Sequence, residues 1–452
     1  MASDSQSLAV RRALFFTGLV VLAEPLAATM LLSFVVFMVR DFPAVNERSV
    51  AFWCGVITSA FFVAQVFTAP LYGAVSDRLG RKPVLLFGLV GSAVCTVLYG
   101  ISGNLTMAII SRALCGFFNG NAGVSRTSVG EFAANNGIHQ GRAFSIFGLC
   151  TAMGTLLGPL LGGFLCQPTE KYGFTGPAGI FAQYPYLLPC AISACYNIIV
   201  VVLCIPYLEE TNLDISKPSR ELARTEDEET PLIAPRGDEA TLKSAPKRTR
   251  SLVLLIGGHA IIALHAISFD EMYPAIAATK LPIGLGFTSS DIARTLLFLG
   301  PIVLTVQFVG YPMLSQRLTY ATLWRISSIL FLVVYISFGF VLELPNKSLL
   351  QWSCLYLLLG MRIAAVVIGY TSVAILLTLS APPNHRGITV SFAQAAISAS
   401  RAVGPTVAGA LWSWGLLNGL KAPFDQNILF VFQCIVATLQ LVTSFGLSIE
   451  SS

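Results

Sequence analysis

From Ala13 onward the chain alternates long apolar stretches with short polar ones, and the stretches run too far to be half-buried strands or one-sided soluble helices. Twelve runs stand out, over 13–39, 52–75, 83–103, 105–128, 143–166, 186–206, 252–278, 294–314, 324–344, 350–379, 388–414 and 427–448. Each is long enough for a helix rising 1.5 Å per residue to cross about 30 Å of hydrocarbon. The pattern therefore predicts an all-α integral membrane protein of twelve transmembrane helices, the longer ones tilted or ending outside the hydrocarbon. The first run follows Arg11 and Arg12 as a signal peptide would, but it far exceeds the 7–15 apolar residues of a cleaved signal. It is read as a retained span.

One long polar interval interrupts the pattern. Between Tyr207 and Arg250 the chain carries "EDEET", "PRGDEA" and "KRTR", too much charge to bury. This divides the chain into an N-terminal six-helix bundle (1–206), a cytoplasmic charged linker expected to be disordered (207–250) and a C-terminal six-helix bundle (251–452). The two sides repeat one another. "YGAVSDRLGRK" from Tyr72 aligns with "YPMLSQRLTYA" from Tyr311, "GPLLGGFL" from Gly158 with "GPTVAGAL" from Gly404, Arg112 with Arg362, and Glu24 with Asp270, all at nearly one offset. A duplicated six-helix unit is the build of many secondary transporters, with a substrate site between the halves near the bilayer midplane.

Composition narrows the class. The chain is 55% hydrophobic and 11% charged, against about a quarter charged in soluble domains, which excludes an ordinary soluble enzyme. The net charge of +5 forms no single stripe for nucleic acid. Arg11, Arg12, Arg78, Arg81, Lys82, Arg126, Arg142, Arg317, Arg325 and Arg386 fall on one side of the twelve-span plan, while the other side has near-balanced pairs such as Arg40/Asp41 and Glu170/Lys171. By the positive-inside rule both termini are cytoplasmic. The cysteines, among them Cys54, Cys95, Cys150, Cys195 and Cys204, lie mostly in apolar runs without CxxC pairing, so they read as lipid-buried thiols. No metal, cofactor or enzymatic constellation is expected.

The motifs now carry a resemblance. "GAVSDRLGRKP" is similar to the loop signature of the major facilitator superfamily, G-x-x-x-D-R-x-G-R-[RK], met at Gly73, Asp77, Arg78, Gly80, Arg81 and Lys82. "RALCG", from Arg112, resembles its fourth-span signature, and "GTLLGPLLGG" resembles the fifth-span signature associated with antiporter branches, met at Gly154, Gly158, Pro159, Gly162 and Gly163. "AEPLAAT", "HAISFDEMYP" and "PYLEET" further resemble the drug/proton antiporter and zinc-induced facilitator-like branch of fungi and plants. The second loop departs from the signature at Gln316, Thr319 and Tyr320, so the charge role implied for the first loop is not expected there.

The resemblance implies that Asp77 holds the N-terminus of the eleventh helix, near Ile388, and locks a cytoplasmic gate. It also implies that the glycine stripe of the fifth span packs on a span of the other half as a rocking surface. On physical grounds Gly80 suits a tight turn and Gly73 a close helix approach, while Pro159 removes a backbone donor and can bend its helix. A topology-setting loop and a static helix contact are the plain alternatives. Glu24, inside the first span, would cost about 2.5–3.5 kcal/mol as an isolated charge and so asks for a partner or a proton. Arg112 and Arg362 keep their charge and can hold an anion or a carboxylate. Glu24 and Arg112 are the expected proton-coupling pair, with Asp270 and Glu271 as further candidates. A structural ion pair is the alternative for the first two, and an exposed helix end for the others. His259 and His265 could relay protons, although satisfied interface histidines are the plainer expectation. Phe61, Phe62, Phe144, Tyr370 and Trp412 could line an apolar cavity or simply pack.

The expected function is a proton-coupled antiporter exporting small organic molecules by alternating access, a monomer in the plasma or vacuolar membrane, with protons, substrate and lipid as its partners. An uptake carrier or uniporter and a transporter-like receptor are the alternatives, since one fold hosts several functions. "EETPLI" at 228–233 matches an acidic dileucine sorting pattern, and "NLT" and "NKS" at Asn104 and Asn346 are glycosylation sequons in short loops.

Overall fold

A computed structural model describes residues 2–135, 140–208, 210–211, 240–346, 348–380 and 386–446. The greater part of the linker, with its dileucine-like segment, lies outside the described residues. Every described element is helical. A first set comprises α1 (Ala2–Leu32), α2 (Val35–Arg40), α3 (Val50–Leu79), α4 (Arg81–Gly100), α5 (Leu105–Phe118), α6 (Asn121–Asn135), α7 (Gln140–Leu165), the short α8 (Pro168–Tyr172) and α9 (Ile180–Gln183), and α10 (Leu187–Tyr207). The second comprises α11 (Ala240–Ala278), α12 (Ser289–Thr305), α13 (Tyr311–Ser315), α14 (Tyr320–Leu342), α15 (Leu349–Ser380), α16 (Arg386–Leu417) and α17 (Ile428–Phe445).

Each of the twelve predicted runs lies on helix. Ten helical segments among the described residues are long and apolar enough to cross a membrane. The run at 105–128 falls short because Asn119 and Gly120 divide it: a Cβ at Gly120 would collide with the Tyr72 ring. The run at 388–414 does form one helix, α16, but Gln394, several serines and Arg401 lower its apolarity. Its polar positions fit a helix that packs on protein rather than on lipid. The first run ends α1 at Leu32 and resumes as α2 after Phe34, and Ser33 at the break donates to the Pro159 carbonyl at 3.0 Å.

The apolar core decides how the two sets meet. One cluster, around Phe34, Met38, Ile57, Phe269, Phe338 and Trp412, draws from both sets. A second, around Val20, Tyr72, Leu85 and Val200, belongs to the first set alone; a third, around Leu255, Ile262, Trp324 and Val373, belongs to the second. The sets are therefore fused at the end of the bundle that carries Arg40 and have separate cores at the end that carries Gly80. Two helix pairs make the junction. In α3 and α16, Gly55 faces the Pro405 carbonyl, Gly409 faces the Ala51 carbonyl, and Thr406 donates to Ser59 at 2.8 Å. In α7 and α12, Gly163 abuts Ala293 and Gly300 abuts Leu156. At the Arg40 end, Arg40 donates to the Ala278 carbonyl at 3.1 Å, and Lys171 donates to Ser289 at 2.7 Å and to the Gly163 carbonyl at 2.6 Å.

The glycine stripe departs from expectation. A Cβ on Gly154, Gly158 or Gly162 would run into the backbone of α1 between Leu22 and Met30, a helix of the same set; only Gly163 faces the other set. Residues four apart share one helix face, whereas Gly163 is rotated from that face by about 100°. Gly73 also differs: nothing lies within 4 Å of a Cβ there, so it permits no close approach in this conformation. It sits near the Gly80 end, where the two cores are separate.

Candidate functional site

At the Gly80 end, one residue joins two helices. Gly80, at φ 101°, terminates α3 and starts α4, a conformation that costs a residue with a Cβ, and a Cβ there would also strike the Glu210 carboxylate. Glu210 caps α4 by accepting from the backbone N–H of Arg81 at 2.8 Å and of Lys82 at 3.1 Å, where the helix dipole favours an anion. Arg81 binds Asp77 at 2.5 Å, Ser76 at 2.6 Å, and Glu131 through two donors at 2.8 and 3.2 Å. Lys82 donates to the Ile205 carbonyl at 2.8 Å, near the end of α10. The expected contact of Asp77 with the start of α16 falls at residues 381–391, outside the described side chains. In the second loop the motif is replaced by a simpler cap, Thr319 accepting from Thr322 N–H at 3.3 Å. Glu210 was missed as part of this site, although its place just beyond an apolar run and its charge are those of a cap. Glu210→Ala is expected to destabilise the first set by about 1 kcal/mol, read as a lower apparent melting temperature of the purified chain; unchanged melting would deny the cap a structural role.

Between the sets lies a cavity of about 720 Å³, whose walls include Thr29, Phe62, Phe147, Asp270, Glu271 and Gln307. A smaller one of about 330 Å³ shares Asp270 and Gln307 with it and adds Tyr370, Thr371 and Arg401. Of the aromatic candidates, Phe62 and Tyr370 line these cavities, Phe61 lies under Arg112, and Trp412 is buried near Phe430. Phe144 lies outside the described side chains.

The candidate charges are divided unequally. Arg362, with 1% of its side chain exposed, donates to Asp270 at 2.6 Å and to the Ala266 carbonyl at 2.6 Å, and stacks over Phe269 at 4.6 Å; Asp270 is 43% exposed. The aligned pair in the first set, Glu24 and Arg112, is not joined by a hydrogen bond or ion pair among the described residues. Arg112 lies over the rings of Phe61 at 4.6 Å and Tyr99 at 5.8 Å, and its charge acts on the buried Glu271. Glu271 accepts a hydrogen bond from Thr58 of the first set at 3.0 Å. Glu24 accepts from Gln65 at 3.4 Å and lies in the field of Arg126 and Arg401. Arg126 and Arg401 were not singled out as site residues in the sequence, where Arg126 reads as one more topology-setting cation. His265 is held between Tyr335 at 2.8 Å and Gln440 at 2.6 Å, and His259 packs edge-on against Tyr370 at 5.3 Å. These are interface contacts of helix-packed rings.

Comparison with known proteins agrees with this architecture. The family model described as Major Facilitator Superfamily matches residues 15–405. The chain is 30% identical to the Major facilitator superfamily multidrug transporter mfsB of Aspergillus fumigatus, over 90% of this chain and 79% of that protein. It is 28% identical to Protein ZINC INDUCED FACILITATOR 1 of Arabidopsis thaliana, over 94% of this chain and 89% of that one. Its fold resembles the crystal structure of a D-xylose-proton symporter, with a TM-score of 0.72 at 15% identity over 98% of both chains.

Proposed function

The chain belongs to the Major Facilitator Superfamily, and is thus a multi-pass membrane transporter of small molecules, and we propose that it is a proton-coupled antiporter that exports small organic molecules by alternating access. The observation that carries this reading is the cavity itself, which sets Asp270 and Glu271 on one wall between two helix sets that share a core at one end only. In this reading the two bodies, residues 1–206 and 251–452, rock about the α3–α16 and α7–α12 contacts, with 207–250 as a cytoplasmic linker. The Gly80 end faces the cytoplasm, and the membrane is the plasma or vacuolar membrane.

Each charge then has a task. Asp270 and Arg362 form a pair that loosens when Asp270 takes a proton. Glu271 is tied across the junction through Thr58, so its protonation weakens a contact that must yield when the Arg40 end opens. Opening that end must also break the Arg40–Ala278 and Lys171–Ser289 bonds. Glu24 and Arg112 complete the proton-coupling set, and Gly73, Asp77, Arg78, Gly80, Arg81 and Lys82 form the gate turn.

The test uses purified protein in proteoliposomes with an imposed proton gradient and an internal pH dye. Addition of a transported compound is expected to release protons in the wild type, with at least a tenfold slower flux in Glu24→Gln. Full retention of the flux would remove Glu24 from coupling, and counterflow indifferent to the gradient would establish a uniporter.

A further inference from the structure

Two carboxylates, Asp270 and Glu271, line the cavity of about 720 Å³, and among the described residues no cationic side chain does. Both carboxylates keep an open oxygen. Arg362, which is buried and does not line the cavity, donates to Oδ1 of Asp270 at 2.6 Å, while Oδ2 has no hydrogen bond among the described residues. Glu271 is 9% exposed; its Oε2 accepts from Thr58 at 3.0 Å, and Oε1 has no hydrogen bond among the described residues. Arg112, also buried, lies over Phe61 and Tyr99 and lines neither cavity, and Arg401 lines only the smaller one.

The other polar groups on this wall have the same sense. Thr29 donates to the Pro25 carbonyl at 2.8 Å, Thr151 to the Phe147 carbonyl at 3.0 Å, and Thr155 to the Thr151 carbonyl at 2.9 Å. Each hydroxyl hydrogen is taken up by its own helix, which leaves the oxygen lone pairs. Gln307 stands where its helix loosens. The Tyr311 N–H donates to the Val306 carbonyl, five residues back, and Pro312 has no N–H, so neither supplies the Gln307 carbonyl. The Gln307 amide is then the one side-chain donor on this wall without a partner among the described residues. Acceptors dominate.

We propose that the transported molecule carries a protonated amine, held by the open oxygens of Asp270 and Glu271, on an apolar body that fills the rest of the cavity. This rests on the transporter reading above and names the substrate class of the same cavity. An ammonium group has N–H donors and no acceptor, so it satisfies a wall of lone pairs that a carboxylate or sulfonate would only repel. Its bonds to ionised oxygens are charge-assisted and gain strength away from water. Phe62, Phe147 and Phe308 share the wall and are the kind of partner that serves both a cation and an apolar body. Leu296, Leu299 and Val303 complete it, which suits an organic amine rather than a bare inorganic cation.

The test is equilibrium binding to the purified full-length chain, with no gradient, followed by fluorescence anisotropy. The probes are dansylcadaverine, a primary ammonium on an apolar arm, and its N-acetyl derivative, which keeps an N–H but has no charge. Saturable binding of dansylcadaverine is expected, about tenfold or more tighter than that of the derivative. Glu271→Gln is expected to weaken dansylcadaverine about tenfold or more and to leave the derivative unchanged, with part of the preference kept in Glu271→Asp. Glu271→Gln is expected to melt as the wild type does, because its amide oxygen still accepts from Thr58. Arg401→Gln, which removes a cation from the neighbouring cavity, is expected to bind dansylcadaverine at least as tightly as the wild type. Equal wild-type affinity for the two probes, no saturable binding of dansylcadaverine, or unchanged affinity for it in Glu271→Gln would overturn the proposal. Proton flux separates this result from the coupling reading. Amine binding with gradient-indifferent counterflow would sink the antiporter and leave the amine site standing, whereas proton-coupled flux of an organic acid with no amine binding would do the reverse.

Discussion

Asp270→Ala is expected to cost the fold about 3 kcal/mol, the lower end of the range for stranding one partner of a buried ion pair. The lower end applies because Asp270 is 43% exposed and partly solvated before it is removed, while Arg362, at 1%, has nowhere to go. The stranded guanidinium keeps the Ala266 carbonyl and the face of Phe269, neither of which carries a negative charge. Removing the charge along with its partner, as Asp270→Ala with Arg362→Met, is expected to restore most of the loss, because a buried ion pair gains little over apolar groups of similar volume. Apparent melting of the purified chain measures both. A single variant as stable as the wild type would mean that the pair contributes to transport alone.

The second large effect is steric. Gly158→Leu would push a side chain into the Leu26 carbonyl and the Met30 amide of α1, backbone atoms that cannot swing aside, so α1 and α7 must separate. Overpacking of this kind costs typically about 1–3 kcal/mol, and here the two helices lose a contact that depends on small residues. Poor recovery of folded protein and a lowered melting temperature are expected for Gly158→Leu. Gly73→Ala, with open space around it, is expected to melt as the wild type does. Equal melting of all three proteins would deny the stripe its role in holding α1 to α7.

The gate turn was legible as residues but not as partners. Gly80 could be read as the turn between two apolar runs, and Arg81 only as a signature position and a topology-setting cation. That Glu210, 129 residues from Arg81, supplies the cap follows only from where α10 ends. The charges of the cavity repeat the lesson. Sequence offset aligned Glu24 with Asp270 and Arg112 with Arg362, and the pair expected from the sequence was Glu24 with Arg112. The second set joins the aligned residues, Asp270 with Arg362. In the first, Arg112 lies over Phe61 and Tyr99, while Glu24 accepts from Gln65.

What the sequence determined by itself is the part of the answer that lipid imposes. Hydrocarbon leaves no choice but a helix satisfied within itself and about 20 residues long, so length and apolarity suffice to place the spans, and duplication suffices to place their symmetry. Which face of each helix meets which neighbour was decided only by the tertiary structure. The 3.6-residue period turns a one-residue step into about 100° of rotation, which is why Gly162 meets α1 and Gly163 meets α12. The same rotation, summed over helices that are distant in the chain, brings Asp270, Gln307, Tyr370 and Arg401 to one cavity that no linear spacing in this sequence announces.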